Sequence, residues 1–473
     1  MKAIKRILAL ALVLGMVPWG TSPVLAQGDL AINETHFPDA KFRDYVSEVL
    51  DENHDGSLSP AEVEAVKEIV VFRKGITDLK GVQYFKNLEE LNCLENKISS
   101  LDLRDNTKLK RLDCDKNKLT SLDVSKNPDL IYLSCINNSL TSLSVSANPQ
   151  LAGFYCDENS LTSLDVSKNP DLLYFSCSNN NLASLSLRAN TKLAGLYCDD
   201  NRLTSLDLSH NPALISLACH LNELETLDLS KNPDLEDLSC HNNKLKDLDL
   251  RNNPKLMELM CSENQLTSLD VSHNPELDHL DCYANQLTSL DVSQNPALRY
   301  LDCYGNQLTS LDLANNLNIA EEDFSGGGQE YELRVYNKTL SFDPAQLDGT
   351  FDLARTRDWA GASPVGTLVK LDSEEVDRIT YTYEAGEDKD LKVSLYISYS
   401  QDPVSPSDDK PVSKAKAVVS LIIGSPRLET DQDGTKTTST MEVAPYIKEG
   451  RTMLPVRYVA QALGFEVDWN EAS

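Results

Sequence analysis

Eleven cysteines stand at positions 93, 114, 135, 156, 177, 198, 219, 240, 261, 282 and 303, each 21 residues after the last. A fixed period of this length marks a stack of short coils, each burying the apolar edge of its neighbour. Other ladders keep the same step. Leucines run from Leu88 to Leu298, and an asparagine follows three residues after each cysteine, from Asn96 to Asn306. A second asparagine series runs from Asn106 to Asn316, so the unit reads LxxLxCxxNxLxxLDVxxNPx.

The unit contains two similar halves, such as Leu109–Lys118 and Leu119–Asp129. One coil is therefore expected to carry two short extended segments, each closed by an asparagine. Leucines point inward, while the asparagines bond backbone groups at the bends. Pro128, Pro149 and Pro170 stiffen the second bend.

These motifs resemble the bacterial leucine-rich repeat family over about 88–318, in the short class with nested LxxLxC and LxxLDV halves found in exported surface proteins. The resemblance implies a repeat solenoid: eleven 21-residue coils, a helical N-terminal cap and β-rich C-terminal modules. It also implies protein interaction rather than catalysis.

Residues 1–26 read as a secretory signal, with Lys2, Lys5 and Arg6 ahead of an apolar stretch, Ile7–Val17, too short to span a bilayer. The expected product is secreted or extracellular, with cell-wall association as the alternative to free release, and with no later membrane span. Export of a cysteine-rich chain ordinarily suggests disulfides. Here the count is odd, and each cysteine takes the third apolar place of LxxLxL. The expectation is a buried, unlinked filler. Metal ligation is less favoured, since no CxxC is present. With 44 Lys+Arg against 73 Asp+Glu, the net charge of −29 argues against nucleic acid or an anionic membrane as partner.

The outward positions of the first half-coil vary from repeat to repeat. They hold Tyr132, Tyr155, Tyr174, Tyr197, Tyr283, Tyr300 and Tyr304, together with His220, His241 and His279. Tyrosine brings apolar area and a hydroxyl, and is enriched in binding hot spots. The strip, roughly 50 Å long, is the candidate site for a protein or glycan ligand. The alternative is stacking along a ladder for stability. The histidines are either solvated or a source of pH sensitivity. The second half repeats Ser-x-Asp-x-Ser. Its aspartates, from Asp102 to Asp312, suit local backbone capping, with a cation stripe as the alternative.

Residues 27–87 form the cap. Phe42, Tyr45, Val46, Val49 and Leu50 have helical spacing, and a second helix is expected over 61–68. Between them, Asp51–Glu62 resembles the EF-hand calcium loop. Asp51, Asn53, Asp55, Ser57, Ser59 and Glu62 match its oxygen ligands, and Gly56 its sharp turn. Structural calcium is the one cofactor implied. The same stretch is also a capping box, Ser59-Pro60-Ala61-Glu62.

After Asn318 the period fails. Residues 319–400 alternate as a β-rich module, with a hairpin around Gly386, and residues 401–413 read as a linker. Residues 414–473 look like the copper amine oxidase N-terminal-like, or stalk, domain: Ala417–Gly424, Val443–Ile447 and Gly450–Asn470 carry the likeness. That family continues further after the tryptophan equivalent to Trp469, so an incomplete domain is expected here. The block contains no His or Cys, which disfavours copper ligation. The sequence thus reads as an interaction scaffold, not an enzyme. A structural spacer, or part of an amine-oxidase-like enzyme, are the alternatives.

Overall fold

Each three-residue segment before a cysteine forms a β-strand, and each strand pairs in parallel with the strand 21 residues on, as Arg111–Asp113 does with Tyr132–Ser134. The computed structural model describes residues 28–336, 339–347 and 351–400, plus the backbone of the five strands Ala417–Leu421, Arg427–Gln432, Thr435–Thr440, Tyr446–Lys448 and Arg451–Met453. The expected leader and linker lie outside the described residues. The chain divides into two units, 1–306 with 312–327 and 307–311 with 328–473.

In the first unit the strands form one 13-stranded parallel sheet. Eleven strands are those of the cysteine repeats. The sheet gains one more at each end, Glu68–Val70 beside Glu90–Asn92 and Phe324–Ser325 beside Tyr300–Asp302. The ladder thus begins inside the expected cap. The leucines flanking each strand and all eleven cysteines are fully buried.

The second half-coil differs from expectation, because it forms no strand. Its aspartates accept the backbone N–H two residues on, as Asp123 does from Ser125 at 2.9 Å and Asp165 from Ser167 at 2.9 Å. These turns use amides that a second sheet would need. A sparse set of backbone bonds links the coils here, such as Ser139 N–H to the Leu119 carbonyl at 2.8 Å. The turns leave the local-capping reading of these aspartates as the one supported by geometry.

The first asparagine ladder stitches the coils. Asn201 Nδ2 donates to the Cys177 carbonyl of the preceding coil at 3.0 Å and to Cys198 and Asp199 of its own at 3.2 and 3.1 Å. Its Oδ1 accepts from Leu182 N–H at 2.9 Å. The residue before each of these asparagines has positive φ, from Glu95 at 56° to Ala284 at 50°, with a glycine at 305. This left-handed bend costs most residues energy, and the asparagine bonds on both sides of it hold it in place. The second ladder is simpler. Asn190 Nδ2 donates to the Val166 and Asn169 carbonyls at 3.1 and 2.8 Å. The Oδ1 atoms from Asn106 to Asn316 are buried without a partner. An under-used carbonyl is more tolerable than an orphaned N–H.

The cysteines form a column of buried thiols, none in a disulfide. Cys114 and Cys156 Sγ donate to the next strand's carbonyls, Ser134 at 3.3 Å and Ser176 at 3.4 Å. Burial pushes the thiols of Cys240 and Cys303 up to about 12, so the reactive thiolate is scarce at neutral pH.

At the N-terminal end, α1 (Ala40–Tyr45) is capped by Asp39 and runs into a π-helical turn, Val46–Leu50. Phe42 and Val46 face the core, whereas Val49 is exposed. The second helix, α2 (Pro60–Ala65), is shorter than expected because the first strand starts at Glu68. Gly81 has φ of +114°, and a Cβ there would lie 2.3 Å from the Phe37 ring, so this cap contact requires glycine.

In the second unit, seven strands between Gln329 and Ser400 form one mixed sheet. Its centre is the expected hairpin, Arg378–Gly386 with Lys389–Ser400, and Gln329–Tyr336 lies parallel to the latter strand. Ala417–Leu421, Arg427–Gln432 and Thr435–Thr440 form an antiparallel meander, and Tyr446–Lys448 pairs with Arg451–Met453.

Thiol titration reads the buried column directly. In native buffer a disulfide-exchange reagent should label almost none of the eleven thiols within minutes, and all of them in guanidinium. Stoichiometric labelling of the native protein would contradict the buried ladder.

Candidate functional site

The outward face of the parallel sheet carries every tyrosine and histidine singled out above, and none of the ten is buried. Tyr174 and Tyr304 are the most open, at 49% and 53% exposure. Three groups emerge along the face.

The first group is Tyr132, Tyr155, Tyr174 and Tyr197. Tyr132 and Tyr174 occupy the position before the central leucine or phenylalanine, and Tyr155 and Tyr197 the position after it. The rings do not stack up a single column, because Gly153 and Gly195 separate them. A Cβ on Gly153 would meet Tyr132 at 3.2 Å and Tyr155 at 3.3 Å; one on Gly195 would meet Tyr174 at 2.9 Å and Tyr197 at 3.3 Å. The rings therefore lie across the glycines. Tyr132 and Tyr155 are tilted with centroids 5.5 Å apart, and the Arg111 guanidinium sits 4.4 Å over Tyr132.

The second group is a histidine pair. His220 and His241 stack at 4.1 Å, and their Nδ1 atoms share Ser239 Oγ at 3.1 and 3.0 Å. His220 Nε2 lies 3.5 Å from Asp199. Burial, then the neighbouring His220, lowers the His241 pKa and favours its neutral form. The third group does show ladder stacking, since His279 and Tyr300 lie parallel at 4.2 Å. Tyr283 donates to the Glu263 carboxylate, which together with burial pushes its phenol up to about 12. The Tyr304 ring lies over Gly327, where a Cβ would meet it at 3.3 Å.

Sequence reasoning missed part of this face. Ile131, Leu173, Ile215 and Met257, immediately before the strands, are 39–41% exposed despite their apolar chemistry. They recur every 42 residues, that is every second coil, with Ala152 and Ala194 in the coils between the first three. The signal stands in the sequence one position ahead of the strand residues. Gly153 and Gly195 escaped for a similar reason, because they carry no side chain to suggest a role.

Acidic groups border the aromatic ones. Asp115 accepts Ser134 Oγ at 2.6 Å and Ile136 N–H at 2.7 Å. Burial, and after it the Asp113 and Asp157 charges, raise its pKa to about 6. Burial likewise raises Asp113, Asp157, Asp237 and Asp281.

In the cap, Asp51 is 1% exposed. Its Oδ2 accepts Gly56 N–H at 3.0 Å, whereas its Oδ1 has no partner. Asn53 Oδ1 accepts Asp55 N–H, and Asp55 Oδ1 accepts the Ser57 N–H and hydroxyl. Both capping-box bonds are present between Ser59 and Glu62, and Glu62 also accepts Glu52 N–H at 3.0 Å. Ser57–Leu58 pairs with Leu30–Ala31, which satisfies the edge of a single loop. Among the described residues, no three His, Cys, Asp or Glu side chains by themselves converge as a metal site. A cation in this loop would depend on Asn53, serine and backbone oxygens as well.

Comparison with known proteins fits this architecture. Residues 410–473 match the family described as copper amine oxidase N-terminal domain. The functional domain of InlJ from Listeria monocytogenes, described as including a cysteine ladder, is 28% identical with a TM-score of 0.54; the match covers 79% of this chain and 99% of that one. An internalin from the same organism, InlF, is 23% identical with a TM-score of 0.56, covering 60% and 87%. No curated protein matches the sequence. The fold is that of leucine-rich repeat proteins. Among the described residues, no helix is long and apolar enough to cross a membrane.

The raised Asp115 pKa has a defined sign. Its folded value, about 6, exceeds the ordinary 3.8, so ionisation opposes folding and stability rises as pH falls from 7.5 towards 5. After solvent screening the contribution is on the order of 1 kcal/mol. Urea denaturation should find Asp115→Asn more stable than wild type at pH 7.5, with a smaller gain on acidification. Identical pH slopes would contradict this environment.

Proposed function

We propose that this protein is an exported, surface-associated interaction scaffold that recognises a protein or glycan partner through the outward face of its parallel sheet. The observation that carries the reading is the contrast between two sides of the same coil. The second half repeats serine and aspartate turns. The strand face gathers seven tyrosines, three histidines and four exposed aliphatic residues, although the fold needs none of them there. Exposed apolar and aromatic clusters of this kind mark binding surfaces. The likeness to InlJ supports the same class of role. The signal-like leader supports export. The block at 410–473 accompanies this role as a non-catalytic accessory module.

Binding of the full chain should be measured on protein and glycan arrays. Replacing Tyr132, Tyr155, Tyr174 and Tyr197 by alanine, or Tyr283, Tyr300 and Tyr304 by alanine, should remove specific signals while leaving circular dichroism unchanged. Unaltered binding by both variants would contradict the assigned face, and absence of specific binding by the unsubstituted chain would favour a spacer.

The cap is also proposed to hold calcium weakly, at Kd on the order of 10⁻⁴–10⁻³ M. The support is the buried Asp51 Oδ1, an acceptor with nothing to accept from, in a loop whose other oxygens are clustered. Asp51, Asn53, Asp55, Ser57, Ser59 and Glu62 would supply the oxygens, and Glu62 would exchange its amide contacts for the ion. Calcium should raise the melting temperature of the cap and array by a few degrees, and Asp51→Ala should abolish the difference. Equal melting curves with calcium and with chelator would leave Glu62 as a helix cap only.

A further inference from the structure

The strand face has a second period superimposed on the coil. Ile131 and Tyr132, then Leu173 and Tyr174, form bulky steps separated by Ala152-Gly153 and Ala194-Gly195. Ile215 and Met257 continue the series of exposed apolar steps. Backbone bonds such as Ile131 N–H to the Lys110 carbonyl and Leu173 N–H to the Ala152 carbonyl keep these residues in the ladder. Adjacent parallel strands lie ~4.8 Å apart, so bulky steps recur every ~9.6 Å, with small notches between the first three and the acidic pair Glu236-Asp237 between Ile215 and Met257. Tyr155 and Tyr197 belong to the notched coils themselves, two residues after the glycines, and their rings lie across the glycine positions, which leaves Ala152 and Ala194 as the open notches.

A ligand that fits this corrugation must share its period over several steps. From Ile131 to Met257 the ladder climbs six coils, roughly 29 Å. Nine residues of polyproline II helix, three turns, span roughly 28 Å. Three helical heptads span roughly 32 Å and drift out of phase by the last step. An extended strand, with a two-residue repeat of roughly 6.6 Å, meets only every second bulky step. A β-1,4-linked glycan has a disaccharide repeat close to the helical heptad and drifts in the same way. Polyproline II also leaves its carbonyls without internal hydrogen bonds, which suits a surface bearing four tyrosine hydroxyls. Proline rings pack on aromatic faces at low entropic cost.

Charge narrows the choice. Asp113, Asp115 and Asp157 lie alongside the tyrosine group, and Asp199, Glu236, Asp237 and Glu258 lie along the steps beyond it. Arg111, engaged over Tyr132, stands at one end. An acidic border of this kind attracts a basic ligand.

We propose that the corrugated face from Tyr132 to Met257 binds a lysine- or arginine-bearing, proline-rich peptide in polyproline II conformation, laid along the stacking direction of the coils. This rests on the reading of the face as a recognition surface, and specifies its ligand.

The test is fluorescence anisotropy of the full chain with a labelled peptide of four Lys-Pro-Pro triplets. Three probes serve as comparisons: a Lys-Gly-Gly peptide of equal length, a helical peptide of equal charge and a labelled chito-oligosaccharide. The proline peptide should bind at least tenfold more tightly than the glycine peptide, and less tightly as salt rises. Tyr132→Ala with Tyr174→Ala should weaken it at least tenfold. Ala152→Leu with Ala194→Leu fills the notches while adding apolar surface, and should weaken it equally without changing circular dichroism. Equal binding of proline and glycine peptides, or stronger binding by the filled variant, overturns the proposal. Tyrosine-dependent binding of the helix or oligosaccharide alone overturns the proline assignment but preserves the recognition face. Failure of all four probes overturns the proposal, and the array experiment then decides the broader reading.

Discussion

One carboxamide per coil, three residues after the cysteine, underlies the architecture. It bridges two coils by donating to carbonyls on both and accepting an amide from the preceding one, as Asn201 does with Cys177, Cys198 and Leu182. Each such bond contributes about 1 kcal/mol net, but leaving its buried partner unpaired costs more. The asparagine also closes a bend in which residues as different as Leu221 and Glu263 adopt positive φ. The bond therefore fixes a strained turn and the distance between coils together. Stability in such an array accumulates through nearest-neighbour contacts, so the repetition of this bond sets the length over which the sheet stays in register.

The register has functional consequences. Cysteine fills the interior behind each strand with a small side chain whose thiol can reach the next carbonyl, as at Cys114. With spacing and core set by Leu, Cys and Asn, the outward positions are freed from structural demand. The glycines at 153 and 195 show that this freedom is used, since each clears the space in which flanking tyrosine rings lie. A side chain there would lift the rings and change the surface without touching the core.

Much of this was legible in the sequence, because a repeat writes the same constraint eleven times. The strands, their parallel register, the inward cysteines and the outward tyrosines follow from the 21-residue step. The additional strands at Glu68–Val70 and Phe324–Ser325 did not stand out, because the terminal coils keep the backbone path while losing the motif. The second half-coil read as a strand because it shares the spacing of the first. The aspartate turns that prevent pairing are visible only when Asp123 and Ser125 are seen bonded. The 42-residue modulation was hidden by the stronger 21-residue signal. In the cap, one pattern fits both the proposed ion loop and the capping box that forms, since Glu62 suits either chemistry.

Native-state hydrogen exchange at the Leu182, Leu203 and Leu224 amides tests the central interaction most directly. Each of these N–H groups donates to an asparagine Oδ1 of the following coil, at 2.9–3.0 Å. Exchange as slow as at the strand-bonded Cys198 and Cys219 amides is the result expected if the carboxamides hold the coils together. Exchange as fast as at exposed loop amides would contradict it.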